Sequence, residues 1–106
     1  MGIYLFDQFT LLHFSVGIIM YFWGINLFTW IIIHLLFEIF ENSSYGMYFI
    51  NNYLPIWPGN KPKSDTFINS FGDTIGGILG WLFARYIDRL GNKLNWYPLH
   101  LNKNII

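Results

Sequence analysis

The sequence has no cysteine and few charged residues. Asp, Glu, Lys and Arg make up 11% of the 106 residues, and six acidic and six basic side chains give a net charge of zero. Without cysteine the chain has no disulfide, thiolate metal site or thiol nucleophile. The low basic content also argues against a nucleic-acid partner, because phosphate binding requires a clustered basic surface.

Several catalytic motifs are also missing from the sequence. It has no Gly-rich phosphate loop, no G-x-S-x-G nucleophile elbow and no H-E-x-x-H helix. Each of these motifs supplies a particular chemistry, so the sequence does not predict a phosphatase or a nuclease.

Apolar residues are abundant instead. Hydrophobic side chains make up 54% of the chain and aromatic side chains 22%, well above the composition of an ordinary soluble domain. Three apolar stretches predict transmembrane helices over residues 9–25, 27–41 and 65–87, since roughly 20 residues span a bilayer. We therefore predict an all-α, three-helix transmembrane bundle as a single integral membrane domain over residues 1–106.

The segment between the second and third predicted helices is rich in proline, asparagine and aromatic residues. Residues 43–64 are predicted to form an aromatic loop at the membrane–water interface, where tyrosine and tryptophan are favoured. In an alternative that remains open, the same rings fold inward over the helix ends. Ser64 is the predicted N-cap of the third helix, and residues 88–106 are predicted to form a polar tail.

The distribution of basic residues predicts an orientation. Four of them lie near or after the C-terminal end of the third predicted helix, and two lie in the loop: Arg85, Arg89, Lys93 and Lys103, against Lys61 and Lys63. By the positive-inside rule the C-terminus is predicted on the cytoplasmic or matrix side of the membrane. The predicted partners are membrane lipids and other membrane protein subunits.

Three alternating passes would bring the start of helix one, the end of helix two and the start of helix three to one membrane face. Polar residues occur at all three places, and ionisable groups at membrane depth are costly unless they are functional or paired. The candidate polar site comprises His13, Glu38, Glu41, Asn42, Asp65, Asn69 and Asp73. His34, one turn before Glu38, is predicted to support Glu38 by hydrogen bonding. Asp7 and His100 are assigned no role.

Three chemistries are open for this polar site. Carboxylates with imidazole suit zinc, manganese or iron, whereas all-oxygen sets suit magnesium or calcium. His13, Glu38, Glu41 and Asp73 are the predicted ligands of such a divalent ion. Without metal, crowded carboxylates can hold protons and act as general acids and bases. Alternatively, the polar groups satisfy one another and only fix the packing of the helices.

Glycines recur at short intervals in the third predicted helix. Gly72, Gly76, Gly77 and Gly80 are expected to let a neighbouring helix approach closely, and Gly17 and Gly24 are the expected counterparts on helix one.

Three segments together resemble a known family pattern. They read LLHFSVG, FEIFENS and DTFINSFGDTIGGILGWLFAR. The chain over residues 10–86 resembles the small bacterial membrane proteins of the DUF2585 type and, more loosely, the VanZ-like superfamily. The resemblance implies a small multi-pass membrane protein in which the seven residues of the candidate polar site match the family pattern. It implies architecture more than mechanism, since the VanZ branch is associated with glycopeptide resistance at the cell envelope.

Three functions are compatible with these observations. The first is a metal-binding or enzyme-like protein that acts on a lipid or lipid-linked substrate. The second is a non-catalytic subunit of a larger membrane complex, in a viral or organellar setting. The third is a transporter or proton channel, which three short helices could form only as an oligomer.

Overall fold

The computed structural model describes residues 2–96, which form four α-helices and no strand. The helices are α1 (Thr10–Phe22), α2 (Leu27–Glu41), α3 (Ser44–Tyr53) and α4 (Phe67–Lys93). The predicted all-α class is confirmed. The predicted number of three helices is wrong, because part of the predicted aromatic loop is the helix α3.

Ser43 separates α2 from α3. Its Oγ donates to the carbonyl of Phe40 at the end of α2 (2.6 Å) and accepts from the N–H of Gly46 at the start of α3 (3.0 Å). A serine that caps in this way starts a new helix at once. α3 then ends at Tyr53, because the next residue, Leu54, precedes Pro55, and a proline disfavours helical geometry in the residue before it.

The turn between α1 and α2 depends on Gly24 and Asn26. Gly24 has a φ of +84°, a left-handed conformation that glycine adopts without steric cost. The Asn26 side chain then accepts a hydrogen bond from the N–H of Thr29 (2.8 Å) and caps α2. α1 therefore ends at Phe22, before the predicted boundary, whereas α2 covers the predicted residues.

α4 begins later and ends later than predicted. Thr66, rather than Ser64, is the N-cap, because its Oγ1 accepts from the N–H of Asn69 (3.2 Å). The helix continues to Lys93, so residues 88–93 of the predicted tail are helical. Residues 97–106, including His100, lie outside the described part of the chain.

None of the helices in residues 2–96 combines the length and the apolar character that crossing a membrane requires. α1, α2 and α3 have 13, 15 and 10 residues, whereas a span needs roughly 20. α4 has 27 residues but carries Asp73, Arg85 and Asp88 along its length. The predicted three-helix transmembrane bundle and the multi-pass integral membrane localisation are therefore wrong. The assignment of the C-terminus to a cytoplasmic or matrix side, and of the polar site to the opposite side, is wrong with them.

α1 runs parallel to α4 and packs on it backbone against backbone. Thr10 contacts Asp73 near the start of both helices, and Tyr21 donates to Asp88 (2.7 Å) near their ends. Between these contacts, a Cβ added at Gly80 would collide with the carbonyl of Phe14. α2 runs antiparallel to both helices and completes the bundle. The small apolar core between the three helices consists of Tyr21, Trp30, Trp81 and Ala84.

We expect Gly80→Ala to lower the free energy of unfolding by about 1–3 kcal/mol, the usual cost of overpacking. The loss arises because backbone atoms of α1 must move, and it exceeds the gain from the higher helix propensity of alanine. Gly77→Ala is the matched control, since the nearest neighbours of its added Cβ are side-chain atoms of Trp30 and His34, at 3.1 Å or more. Urea unfolding measures both variants, and equal losses would contradict the expectation.

Candidate metal centre

Polar side chains from three helices and two loops meet at one end of the bundle. α1 and α4 begin there and the antiparallel α2 ends there, so residues distant in sequence become neighbours. This polar cluster consists of Asp7, His13, His34, Glu38, Glu41, Asn42, Lys61, Asp65, Asn69 and Asp73. It contains five of the six acidic residues of the chain.

Three atoms in this cluster form what we call the His–His–Glu triangle. His13 Nδ1 lies 2.9 Å from His34 Nε2. Glu38 Oε1 lies 3.6 Å from His34 Nε2 and 3.9 Å from His13 Nδ1. His34 and Glu38 are buried, with 3% and 6% of their surfaces exposed. Two imidazole nitrogens and one carboxylate oxygen close enough to share a metal ion are thus held together.

The surroundings of His34 direct a lone pair into the triangle. The Thr74 hydroxyl donates to the carbonyl of Ser70 (2.9 Å), so its oxygen accepts from His34 Nδ1 (3.4 Å). This assigns the proton of neutral His34 to Nδ1 and leaves Nε2 as an acceptor. Burial lowers the pKa of His34 to about 4, helped by the nearby His13. Trp30 packs edge to face on the same ring, with 5.3 Å between centroids.

Asp73 lies behind His13, outside the triangle. Its Oδ2 is 3.3 Å from His13 Nε2, and its Oδ1 accepts from the Thr10 hydroxyl (3.3 Å). Burial lowers the pKa of His13. Burial, together with the charges of Asp65 and Asp7, raises the pKa of Asp73 to about 7. A carboxylate on the far nitrogen of a histidine is the usual way to orient a metal-binding imidazole, so Asp73, predicted as a ligand, reaches the triangle only through His13.

Glu38 has one satisfied oxygen and one unsatisfied oxygen. Its Oε2 accepts from the side-chain amide of Asn42 (3.1 Å). Its Oε1, the atom in the triangle, is buried without a hydrogen-bond partner among residues 2–96. Burial raises the pKa of Glu38 to about 8, and the charge of Glu41 adds to the effect. A buried polar atom without a partner costs about 1–3 kcal/mol, so this oxygen is poised to take a proton or a cation.

A second acidic group lies beside the triangle, and the ammonium group of Lys61 lies within it. Carboxylate oxygens of Glu38, Glu41 and Asp65 lie within 4.8 Å of one another. The Lys61 ammonium is 2.6 Å from Asp65 and 3.9 Å from Glu41. Both backbone polar groups of Lys61 pair with the side chain of Asn51, at 2.7 Å each. This second group therefore already holds a cation that belongs to the protein.

Two cluster members, Lys61 and Asp7, were not predicted to belong to the site. Lys61 was used only to predict the membrane orientation, yet it is buried, with 5% of its surface exposed. Asp7 accepts from the N–H of Phe9 (2.9 Å) and from the side chain of Asn69 (3.2 Å). Asn69 also donates to the carbonyl of Tyr4 (2.7 Å), so it fastens the N-terminal segment to α4.

A cleft of about 500 Å³ opens beside the cluster. Aromatic and aliphatic side chains form most of its wall, and polar side chains lie at the end near the cluster. Its lining consists of Gly2, Asp7, Phe9, Leu12, His13, Val16, Met20, Trp30, Ile33, His34, Phe37, Glu41, Trp57, Pro58, Asn60, Lys61, Asp65, Asn69 and Asp73. Glu38 lines a different cavity, between α2 and α4, so the triangle lies between two openings.

The metal-free protein is expected to lose stability as the pH rises from 6.5 to about 8.5. A carboxyl group whose pKa is raised in the folded state holds its proton more strongly there than in the unfolded chain. Its contribution to stability is complete below its unfolded pKa, which is 4.5 for Glu38 and 3.8 for Asp73. The contribution disappears as the pH rises through the folded-state pKa, which is about 8 for Glu38 and about 7 for Asp73. The lowered pKa of His34 makes stability increase with pH instead, but only below the ordinary histidine pKa of 6.5. Thermal unfolding followed by circular dichroism should therefore give a lower midpoint at the higher pH.

Glu38→Gln, which resembles the protonated acid, should show a smaller pH dependence than the wild type. A midpoint that stays constant between these two pH values in the wild type would contradict the expectation.

Comparisons of the chain with protein-family models, curated proteins and solved structures give no match. The resemblance to the DUF2585 type and the VanZ-like superfamily therefore stays a prediction. The contacts of the polar cluster are the basis for proposing a function.

Proposed function

We propose that the protein binds one zinc ion at the His–His–Glu triangle. The point equidistant from the three atoms lies about 2.0 Å from each, and zinc bonds to nitrogen and oxygen are about 2.0–2.2 Å long. The observation that carries the proposal is the buried, unpartnered Oε1 of Glu38, which faces two imidazole nitrogens.

The donor atoms favour zinc over the other divalent ions. Two nitrogens and one oxygen suit a borderline ion, whereas magnesium and calcium prefer sets made of oxygen. The residues around the triangle fit the same interpretation. Thr74 and Asp73 contact the outer nitrogens of the two histidines, and such partners fix the orientation of metal-binding imidazoles.

We further propose that the bound ion acts on a lipid or lipid-linked substrate. Two histidines and one glutamate are a combination found in catalytic zinc sites, where the fourth position takes water or substrate and the ion lowers the pKa of that water. His13 and His34 also line the cleft, so a molecule in the cleft would lie beside the triangle.

Calorimetric titration of the metal-free protein with zinc chloride tests the metal site. We expect one equivalent to bind, and Glu38→Gln and His34→Gln to weaken binding at least tenfold. Glu41→Gln is the matched control, because Glu41 lies in the group already filled by Lys61. Wild-type protein that takes up no stoichiometric zinc, or a Glu38→Gln variant that binds as tightly as the wild type, would refute the proposal.

A second candidate function, a subunit of a protein assembly, is favoured by the outer face of α2. Phe28, Leu36 and Ile39 on this helix are 73%, 62% and 70% exposed, and contiguous exposed apolar patches mark interaction surfaces. A protein partner would cover this face. Sedimentation should then show a complex that Leu36→Lys disrupts, whereas a wild-type protein that sediments as a monomer would count against the assembly.

A further inference from the structure

The cleft has two facing apolar walls. On α1, Val16 and Met20 follow His13 at helical spacing, and on α2, Ile33 and Phe37 face the same space. The seven steps from His13 to Met20 advance about 10 Å along the helix axis, the length of an extended chain of about eight carbons.

Polar groups line the cleft at one end only. His13, Glu41, Lys61, Asp65 and Asp73 lie there, next to the His–His–Glu triangle. A cleft of about 500 Å³ is within the usual size of small-molecule sites, which are mostly apolar with a few converging polar groups. A molecule that matches this lining has one polar head and one apolar tail.

We infer that the cleft binds a single unbranched alkyl or acyl chain of about eight carbons, with its oxygen-bearing head beside His13 and Asp73 and its tail along Val16 toward Met20. Two features of the lining set the chemistry of the ligand. The spacing along α1 sets the length of the tail. The acidic groups at the polar end outnumber Lys61, so a neutral head such as a hydroxyl or an ester is accepted there and a carboxylate head is repelled.

The proposed metal site affects only the binding of the head group. The tail contacts do not depend on metal, whereas a carboxylate head would require the positive charge of bound zinc, and that part rests on the proposed function. Neutral and anionic probes with the same tail therefore separate the two ideas.

The first test titrates metal-free protein with hexan-1-ol, octan-1-ol and decan-1-ol by calorimetry. One equivalent of octan-1-ol should bind, and its dissociation constant should be about fifteenfold lower than that of hexan-1-ol, because each of the two additional buried methylenes contributes about fourfold. Decan-1-ol should gain little more, because Met20 is the last residue of α1 that lines the cleft. Many equivalents bound, or no dependence on chain length, would overturn the inference.

Two tryptophan substitutions on α1 locate the binding site. Val16→Trp places an indole ring in the path of the tail and should weaken octan-1-ol binding at least tenfold. Ile19→Trp is the matched control, because Ile19 is 43% exposed and does not line the cleft. Circular dichroism melting curves establish that both variants fold. Equal binding of octan-1-ol by the folded Val16→Trp variant and the wild type would overturn the inference.

Octanoate separates this inference from the proposed metal site. It should bind only when zinc is present, and Val16→Trp should abolish that binding. If octan-1-ol binds in the cleft but zinc does not bind the protein, the tail site stands and the proposed metal site fails. If zinc binds but neither octan-1-ol nor octanoate does, the metal site stands and the inference drawn here fails.

Discussion

Lys61→Met is expected to lower the free energy of unfolding by about 3–5 kcal/mol, the usual cost of removing one partner of a buried ion pair. Lys61 is the ammonium that lies between Asp65 and Glu41, and its loss leaves both carboxylates buried without a counterion. Methionine keeps much of the length of the side chain, so the effect comes mainly from charge. Urea unfolding at neutral pH, followed by circular dichroism, measures the difference.

Lys63→Met is the matched control for this experiment. Lys63 lies two residues away and is exposed, and a surface substitution of this kind changes stability by only about 0.5 kcal/mol. Adding Asp65→Asn to Lys61→Met should recover part of the loss, because the two residues are in contact and their effects are not additive. A Lys61→Met variant as stable as Lys63→Met would show that the buried pair does not support the fold.

Zinc is expected to raise the thermal unfolding midpoint of the wild type by about 10–20 °C when its free concentration is a hundredfold above the dissociation constant. Binding to the folded state alone contributes about 2.7 kcal/mol under this condition. In a chain of this size each kcal/mol shifts the midpoint by about 4–8 °C. The shift should be larger near pH 8 than at pH 6.5, because zinc must displace the proton that Glu38 retains at lower pH.

The same variants that test binding serve as controls for this shift. Glu38→Gln should remove most of it, since the triangle loses its carboxylate. Glu41→Gln should keep it, because Glu41 does not belong to the triangle. A shift of equal size in wild type and Glu38→Gln would mean that zinc stabilises the protein from another place.

The sequence could predict the directions of the helices, and these directions bring the polar residues of the site together. Alternating helices bring the start of α1, the end of α2 and the start of α4 together, so His13, Glu38 and Asp73 become neighbours as expected. The membrane interpretation was wrong because average composition does not reveal where helices end. Gly24 and Ser43 divide the apolar sequence into helices of 13 and 15 residues, and α4 carries Asp73, Arg85 and Asp88 within its length.

The remaining contacts depend on tertiary structure that no local pattern encodes. Lys61 lies between prolines in a segment that reads as a solvated loop, and only the side chain of Asn51 fixes its backbone. His34 shares a helical face with Glu38, but its approach to His13 depends on the packing of α1 and α2 against α4. Asp7 enters the cluster because the N-terminal segment lies across the start of α4, as shown by the hydrogen bond from Thr66 N–H to the Gly2 carbonyl (2.7 Å).

The contact between Trp30 and His34 gives the protein an internal optical probe. The indole ring lies against a ring of the proposed metal site, and its N–H is fixed on the carbonyl of Gly77 (3.0 Å). Occupation of the triangle would change the electric field at the indole. We expect the part of the tryptophan emission that comes from Trp30, one of five tryptophans, to follow the occupancy of the triangle in unlabelled protein.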